Sequence, residues 1–273
     1  MLRPRPETSL VDEARATTER VARTFALACR LLPRSVRDDV YLLYLTFRTL
    51  DDLVDEGDPR ALARIVAVEA WAAGEAPTSR ESCLLADLAT RHPLPRDAVL
   101  DFCRGMRDDL EERPIDTEEE LDRYCYRVAG TVGVVMAAVL GVRAEGAERQ
   151  AAALGMAMQR TNIVRDIDED LASGRIYLAR RTVARFGAPS PGAREGLIRH
   201  QIARADALYE EGLAGVVKLR RGRRAVAAAA AMYREILRQI EREHYGARAG
   251  RVVVPHWRKL RVAAPRALTL RQP

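Results

Sequence analysis

The most telling part of the sequence is Asp51-Asp52-Leu53-Val54-Asp55-Glu56, which closes an apolar run with helical periodicity that begins at Val40. A second acidic stretch, Asn162-Ile163-Val164-Arg165-Asp166-Ile167-Asp168-Glu169-Asp170, closes another periodic run much later in the chain. Each contains two aspartates four residues apart, and residues at that spacing share one face of a helix. We name Asp51/Asp55 the first acidic motif and Asp166/Asp170 the second. Each motif directs two like charges at one place, which predicts a positive group between them.

Helix stop signals follow both motifs, Gly57-Asp58-Pro59 after the first and Ser173-Gly174 after the second. We therefore expect both motifs in the last turns of their helices, where the macrodipole disfavours carboxylates. A divalent cation would remove this conflict, and Mg²⁺ suits a site of few carboxylates completed by water and phosphate oxygens. Arg48 and Arg165 flank the motifs, and guanidinium groups bind phosphate in a bidentate manner. The alternative is that both motifs are solvated acidic helix ends. It does not explain why the same aspartate spacing and a flanking arginine occur in both motifs.

Composition narrows the class of protein without selecting a partner. The chain has 273 residues, of which 48% are hydrophobic and 5% aromatic, and its net charge is +6. That charge could attract an anionic substrate or a membrane surface. Four cysteines and four histidines are dispersed, so neither a zinc site nor a disulfide framework is expected. Met1–Glu7 lacks the apolar core of a signal peptide, and the apolar run 132–142 is too short to span a bilayer. We expect a cytoplasmic protein.

Helical periodicity covers nearly the whole chain, which predicts an all-α fold. Strand-like alternation appears only at residues 251–254, and no linker divides the sequence. We therefore expect one domain over residues 1–273 with its core at about 20–260. The predicted helices span 11–31, 36–56, 60–73, 81–90, 96–112, 117–141, 146–172, 194–217 and 223–244.

The segment Tyr124–Gly133 places small residues one helical turn apart, Ala129 with Gly133 and Gly130 with Val134. A glycine inside a helix costs about 1 kcal/mol relative to alanine, so two of them need a reason. One explanation is close contact between helices, and the other is a channel for a long apolar ligand. Both explanations hold if one face of the helix contacts a neighbouring helix and another face lines the channel.

These motifs together resemble the squalene/phytoene synthase family, the head-to-head (1′-1) prenyl transferases. The resemblance runs in the family's order from about residue 20 to 260. Its stretches are Thr24-Phe25 with Leu31-Leu32-Pro33, Phe47–Glu56, Gly105-Met106 with Asp109-Leu110, Tyr124–Gly133, Gln159–Asp170, Gly174–Leu178, Tyr233-Arg234 and Trp257-Arg258-Lys259.

The resemblance implies a single isoprenoid-synthase-type helical bundle around a central cavity, with both acidic motifs at its mouth. Two or three Mg²⁺ ions would be held, together with substrate diphosphate, by Asp51, Asp55, Asn162, Asp166 and Asp170. Arg48 and Arg165 would bind the diphosphates. Hydroxyl groups near the diphosphates or near the cationic intermediate would come from Tyr44, Tyr245 and the catalytic Tyr124. Substrate would also meet Thr24, Phe25 and Gln159, and the hydrocarbon tunnel would be lined by Val128, Ala129, Val132 and Gly133.

The implied reaction joins two prenyl diphosphates through a cyclopropylcarbinyl diphosphate, with two geranylgeranyl diphosphates giving phytoene. Two farnesyl diphosphates, giving dehydrosqualene, hydroxysqualene or squalene, and a cyclase acting on one prenyl diphosphate are the alternatives. No glycine-rich nucleotide motif is evident, so NADPH is not expected. The basic run 218–224 lacks the interleaved aromatics of a nucleic-acid site, so no nucleic acid is expected, whereas peripheral contact with the inner face of the membrane is a hypothesis.

Overall fold

The structure, a computed structural model, describes residues 9–142 and 146–269, and its side chains up to residue 265. The N-terminal stretch Met1–Glu7 lies outside the described residues. The helices are α1 (Leu10–Val21), α2 (Arg23–Cys29), α3 (Arg34–Asp55), α4 (Ala61–Ala72), α5 (Arg80–Ala89), α6 (Arg96–Leu110), α7 (Glu118–Cys125), α8 (Thr131–Leu140), α9 (Ala147–Arg165), α10 (Ile167–Ala172), α11 (Arg180–Phe186), α12 (Glu195–Gly215), α13 (Arg223–Arg242) and α14 (His256–Thr269), with a π-helical turn (Tyr126–Gly130) between α7 and α8 and a 3₁₀ turn (Val216–Lys218) after α12.

The all-α prediction is confirmed, although several details differ from it. The helix predicted over 11–31 breaks at Ala22, whose φ of −127° and ψ of 54° leave the helical region. The π-helical turn interrupts the helix predicted over 117–141, and α11 and α14 were not predicted. Residues 251–255 contain no strand; the alternation there reflects extended chain with Val253 72% exposed and Val254 buried.

α9 is the central helix of the bundle. It packs against α7, the π-helical turn, α8, α12 and α13. Small residues make this possible: a methyl group on Gly133 would lie 2.3 Å from Ala151 O, and one on Gly155 would lie 2.2 Å from Ala129 O. The glycines at 133 and 155 therefore let the α8 and α9 backbones approach closely, which is the first of the two explanations for the small residues.

Across residues 9–142 and 146–269 the fold offers no helix whose length and apolar character would let it cross a bilayer. α14 is instead amphipathic and packs along α13. Its inward face meets α2 and α13 in an apolar cluster that contains Ala28, Met232 and Ala263.

Candidate active site

The first acidic motif lies at the C-terminal end of α3, as the stop signals predicted. α3 ends at Asp55, and Gly57 follows with a φ of 63°. Arg48 Nη1 donates to Asp51 Oδ2 at 2.9 Å, and its Nη2 pairs with Asp52. Burial, and then the charge of Asp55, raise the pKa of Asp51 to about 6 although Arg48 opposes the shift. The predicted conflict between like charges is therefore present in the folded chain.

The second acidic motif crosses a break between two helices. α9 ends at Arg165, Asp166 has φ −99° and ψ 9°, and α10 follows. Asp166 N still donates to Asn162 O at 2.8 Å, and Asp170 N donates to Asp166 O at 2.9 Å. The four-residue spacing of Asn162, Asp166 and Asp170 is thus kept across the break.

The prediction that the second motif ends its helix holds for Asp166, the C-cap of α9, and is wrong for Asp170. Asp168, Glu169 and Asp170 occupy the first turn of α10, where the macrodipole favours acids. The strain that remains comes from the carboxylates themselves, because burial, then Asp166 and Glu169, raise the pKa of Asp170 to about 6.

Two polar groups beside the second motif define its surroundings. Arg165 Nε donates to Asp166 Oδ1 at 2.7 Å and its Nη2 to Asp166 Oδ2 at 2.5 Å, a bidentate pair. The Oδ1 atom of Asn162 is buried and has no hydrogen-bond partner. A buried acceptor costs free energy unless a hydrogen-bond donor or a cation meets it, so this atom has the chemistry to serve as a cation ligand.

Arg175 joins the two motifs directly. Its backbone N donates to Asp170 O at 2.8 Å, and its Nη1 donates to Asp55 Oδ1 at 2.8 Å. The charge of Asp55 also contributes to the raised pKa of Asp170. The two motifs therefore face each other across a short gap, although they are far apart in the sequence.

Asp109 on α6 adds a further carboxyl group that the sequence analysis did not single out. Burial raises its pKa to about 7, with contributions from the charges of Asp51 and Asp55 and an opposing hydrogen bond from Tyr124. Tyr124 Oη donates to Asp109 Oδ2 at 3.3 Å, and its ring stacks on Tyr177 with centroids 5.4 Å apart. Tyr124 thus lies beside the first motif, held by an acid and an aromatic ring.

An apolar cavity of about 290 Å³ opens beside the acidic motifs. Two tyrosines mark the end nearest the motifs: the charges of Arg48 and Asp51 act on Tyr44, and Tyr233 acts on Arg165. Burial raises the pKa of Tyr44, so its hydroxyl is un-ionised at neutral pH. Of the residues expected around the substrate, the cavity is lined by Phe25, Tyr44, Val128, Ala129, Val132 and Gly133.

The segment 126–133 serves both explanations offered for its small residues. Val128 and Ala129 lie in the π-helical turn and face the cavity, whereas Gly133 also meets the backbone of Ala151. π-helical turns recur at functional sites because the extra residue redirects side chains.

Three residues expected at the substrate have other surroundings. Tyr245 follows α13 with a φ of 54° and is not among the residues that line the cavity; its Oη accepts from Arg199 Nη1 at 2.7 Å. Gln159 does not line the cavity; its Oε1 accepts from Asn162 Nδ2 at 3.4 Å. Thr24 Oγ1 accepts from Lys259 Nζ at 3.0 Å, which brings α14 to the start of α2.

A buried arginine holds the chain that follows α13 against the second motif. Arg194 Nη1 and Nη2 donate to the two Asp168 carboxylate oxygens at 2.5 and 2.7 Å, and Arg194 Nε donates to Gly246 O at 3.0 Å. Asp168 Oδ2 also accepts from Gly250 N at 2.7 Å. The next residue, Arg251, therefore lies over the motif, where its Nε is 3.2 Å from Asp166 Oδ1.

Comparison with known proteins agrees with this geometry. The family model described as squalene/phytoene synthase matches residues 18–258. The chain belongs to the squalene/phytoene synthase family. Among family members, the 15-cis-phytoene synthase of Synechococcus elongatus is 35% identical over 91% of this chain and 89% of its own. The phytoene synthase of Thermus thermophilus is 39% identical over 86% of this chain and 85% of its own.

Solved structures of the family share the fold. A dehydrosqualene synthase in complex with ligand superposes with a TM-score of 0.85 at 28% identity, covering 94% of this chain and 95% of that one. Squalene synthase HpnC from Alicyclobacillus acidocaldarius gives a TM-score of 0.75 at 28% identity, covering 87% and 95%. The chain thus has the isoprenoid-synthase-type helical bundle of its family.

Proposed function

We propose that the chain is a Mg²⁺-dependent prenyl transferase that couples two geranylgeranyl diphosphates head to head, giving phytoene. One observation carries the proposal: the two acidic motifs, each with its own arginine, are joined through Arg175 and Asp55 beside an apolar cavity. Two diphosphate groups need two such charged sites, and two hydrocarbon chains need the cavity. The relatives named phytoene synthase support the twenty-carbon substrate.

The residues of both motifs suit Mg²⁺. Among the described residues, no three His, Cys, Asp or Glu side chains converge closely enough to hold a metal alone, so substrate oxygens are needed to complete a site. Carboxylates with water and phosphate are the ligands that Mg²⁺ prefers. Bound there, the ions would stabilise the charge that develops on a departing diphosphate. The proposed ligands for two or three ions are Asp51, Asp55, Asp166, Asp170 and the unpartnered Oδ1 of Asn162.

The arginines and the cavity supply the rest of the proposed chemistry. Arg48 and Arg165 neutralise Asp51 and Asp166 in the resting protein, and they would turn to diphosphate oxygens when cations bind those carboxylates. The almost wholly apolar cavity would exclude water, which protects a carbocation from hydrolysis until the second double bond attacks it. Tyr124, held by Asp109, places a neutral hydroxyl beside the first motif.

Coupling of two farnesyl diphosphates is the second candidate. It is favoured by the high structural similarity to a dehydrosqualene synthase. The test is to incubate the protein with Mg²⁺ and either substrate, without NADPH, and to identify extracted products by mass spectrometry. We expect a C40 hydrocarbon from the C20 substrate at a higher rate than any C30 product from the C15 substrate. The reverse preference would move the enzyme to the squalene-like branch.

Binding of Mg²⁺ should weaken as the pH falls through about 6. The pKa values of Asp51 and Asp170 are raised to about 6 in the folded chain, so below that pH protons compete with the cation. Between the ordinary pKa of an aspartate and about pH 6, the folded state binds more protons than the unfolded state. In that pH range the metal-free folded state therefore becomes less stable as the pH rises. Mg²⁺ with inorganic diphosphate should therefore raise the melting temperature strongly at about pH 7.5 and little at about pH 5.

The Asp51→Asn variant is the control for this measurement. Its stabilisation by Mg²⁺ and diphosphate should be small at both pH values, because one of the two titrating carboxylates is gone. Equal stabilisation of the unaltered protein at both pH values would contradict the assignment of these acids as ligands.

We also propose that the protein works in the cytoplasm with peripheral contact to the inner face of the membrane. Substrates and products with long hydrocarbon chains partition into bilayers, so such contact would shorten their path. The basic run 218–224 is poorly suited to that contact. Arg220 N donates to Gly141 O with its side chain packed on Gly141, and Arg223 Nε donates to Leu219 O.

A further inference from the structure

The C-terminal segment (residues 244–273) has a charge unlike the rest of the chain. It contains seven Arg or Lys residues and no Asp or Glu, whereas the 38 basic and 39 acidic residues before it almost cancel. The last 30 residues therefore carry a net charge of +7 and the rest of the chain −1, which together give the net charge of +6. A basic segment of this kind is attracted to anionic lipid surfaces.

An apolar stripe lies on the outward side of the same segment. Trp257 and Leu260, which are 56% and 54% exposed, are three residues apart in α14 and lie on one face of it. Val253, which is 72% exposed, lies in the extended chain just before the helix and completes the stripe. The inward side is already occupied, because Ala263 packs with α2 and α13 and Lys259 donates to Thr24. The stripe is thus not the core-facing side of the helix.

Trp257 is the informative member of the stripe. Trp71, the other tryptophan, is buried, which is the ordinary position of so large an apolar ring. The Arg258 guanidinium lies 5.0 Å from the Trp257 ring centroid, and Arg261 is exposed one turn further on. Tryptophan beside arginine on an amphipathic helix is the composition that settles at the headgroup level of a bilayer.

The position of α14 connects this surface to the cavity. Ala28 and Ala229 belong to the cluster beneath α14 and also line the cavity. α14 therefore covers one wall of the chamber that, on the proposed function, holds hydrocarbon chains. A bilayer bound to the outward side of α14 would lie near the route by which those chains enter and leave.

We propose that the stripe of Val253, Trp257 and Leu260, with Arg261, docks the protein on an anionic lipid bilayer. This inference rests on the proposed function for one point, that the cavity holds prenyl chains. The docking itself depends only on the charge and the exposed apolar area of the segment. The occupant is a bilayer and not a second copy of the chain, because two copies would bring two strongly basic segments together.

The test compares three proteins for co-sedimentation with vesicles of phosphatidylglycerol and phosphatidylcholine, and with vesicles of phosphatidylcholine alone. They are the unaltered protein, the triple variant Val253→Ser/Trp257→Ser/Leu260→Ser, and the control Leu62→Ser/Val66→Ser. The control removes two apolar side chains on α4 that are 50% and 46% exposed. The unaltered protein and the control should bind the anionic vesicles, and the triple variant should bind at least about tenfold more weakly.

Two further readouts keep the outcome decisive. Trp257 emission should shift to shorter wavelength on anionic vesicles, since Trp71 is buried in either state. If the triple variant fails to fold, Arg261→Gln replaces it and should weaken binding about fivefold, because it removes one positive charge. Activity on detergent-dispersed substrate should be equal in the unaltered protein and in all variants, because none of the changed residues lies at the acidic motifs. If none of these proteins is active, the proposed function is overturned and the docking surface is not. Equal vesicle binding by the triple variant, or self-association of the unaltered protein without vesicle binding, would overturn the docking surface.

Discussion

Asp51→Asn should reduce turnover by at least about 1,000-fold while the protein remains folded. The substitution keeps the shape of the side chain but removes the charge that a Mg²⁺ ion would balance. The pKa of Asp51 is raised to about 6, so at neutral pH its ionisation works against folding. The variant should therefore melt at the same or a higher temperature than the unaltered protein without metal. Product formation and thermal melting, measured on the same sample, check both halves of the prediction.

Asp58→Asn is the matched control, because Asp58 lies just beyond α3 and pairs with exposed Arg60. It should keep full activity. Asp166→Asn should lose turnover to a similar extent, since Asp166 is the corresponding residue of the second motif. Substantial turnover in either motif variant would refute the role assigned to that motif, whereas loss of the folded state would show a purely structural role.

Gly155→Ala should destabilise the protein by about 3 kcal/mol, the upper part of the usual range for overpacking a core. The added methyl group would lie 2.2 Å from Ala129 O, and a backbone carbonyl in the π-helical turn has little room to move. The helices at the centre of the bundle would be forced apart. For a chain of this length the melting temperature should fall by about 6–12 °C, measurable by circular dichroism.

Gly196→Ala gives the opposite expectation and serves as control. Gly196 lies in α12, and a methyl group there would meet only Phe186 Cδ1 at 3.4 Å, an ordinary contact. Alanine is the better helix former by about 1 kcal/mol, so this variant should be slightly more stable. A Gly155→Ala variant as stable as Gly196→Ala would mean that α9 is packed less tightly than the structure has it.

The end of α3 was predictable because its signals are local. The periodic run, the aspartate spacing and Gly57 all lie within a few turns, and α3 ends where they indicate. The break at Asp166 was not predictable in this way. No glycine or proline marks it, and hydrogen bonds on both sides of Asp166 continue the helical spacing. The local signals therefore placed Asp166 correctly at the end of a helix, but they did not show that Asp170 lies in the first turn of the next one.

The partners of the motifs depend on tertiary contacts and could not be read from spacing. Arg175 reaches Asp55 across 120 positions of sequence, and Arg251 reaches Asp166 only because Arg194 anchors the preceding turn. Asp109 lay in a stretch that resembles the family, but nothing in that stretch separates it from the neighbouring Asp108. Tyr245 was expected near the diphosphates or the cationic intermediate, and its hydroxyl accepts a hydrogen bond from Arg199, a partner that spacing does not indicate.

Coupling of two substrate molecules is the central claim, and an isotope-mixing experiment tests it most directly. The protein is incubated with Mg²⁺ and equal amounts of unlabelled and fully deuterated geranylgeranyl diphosphate, and the hydrocarbon product is examined by mass spectrometry. We predict C40 product in three mass classes, unlabelled, half-labelled and fully labelled, with the half-labelled class most abundant. Product in only two mass classes, each with the carbon count of one substrate, would contradict coupling and show that the site ionises and cyclises a single prenyl diphosphate.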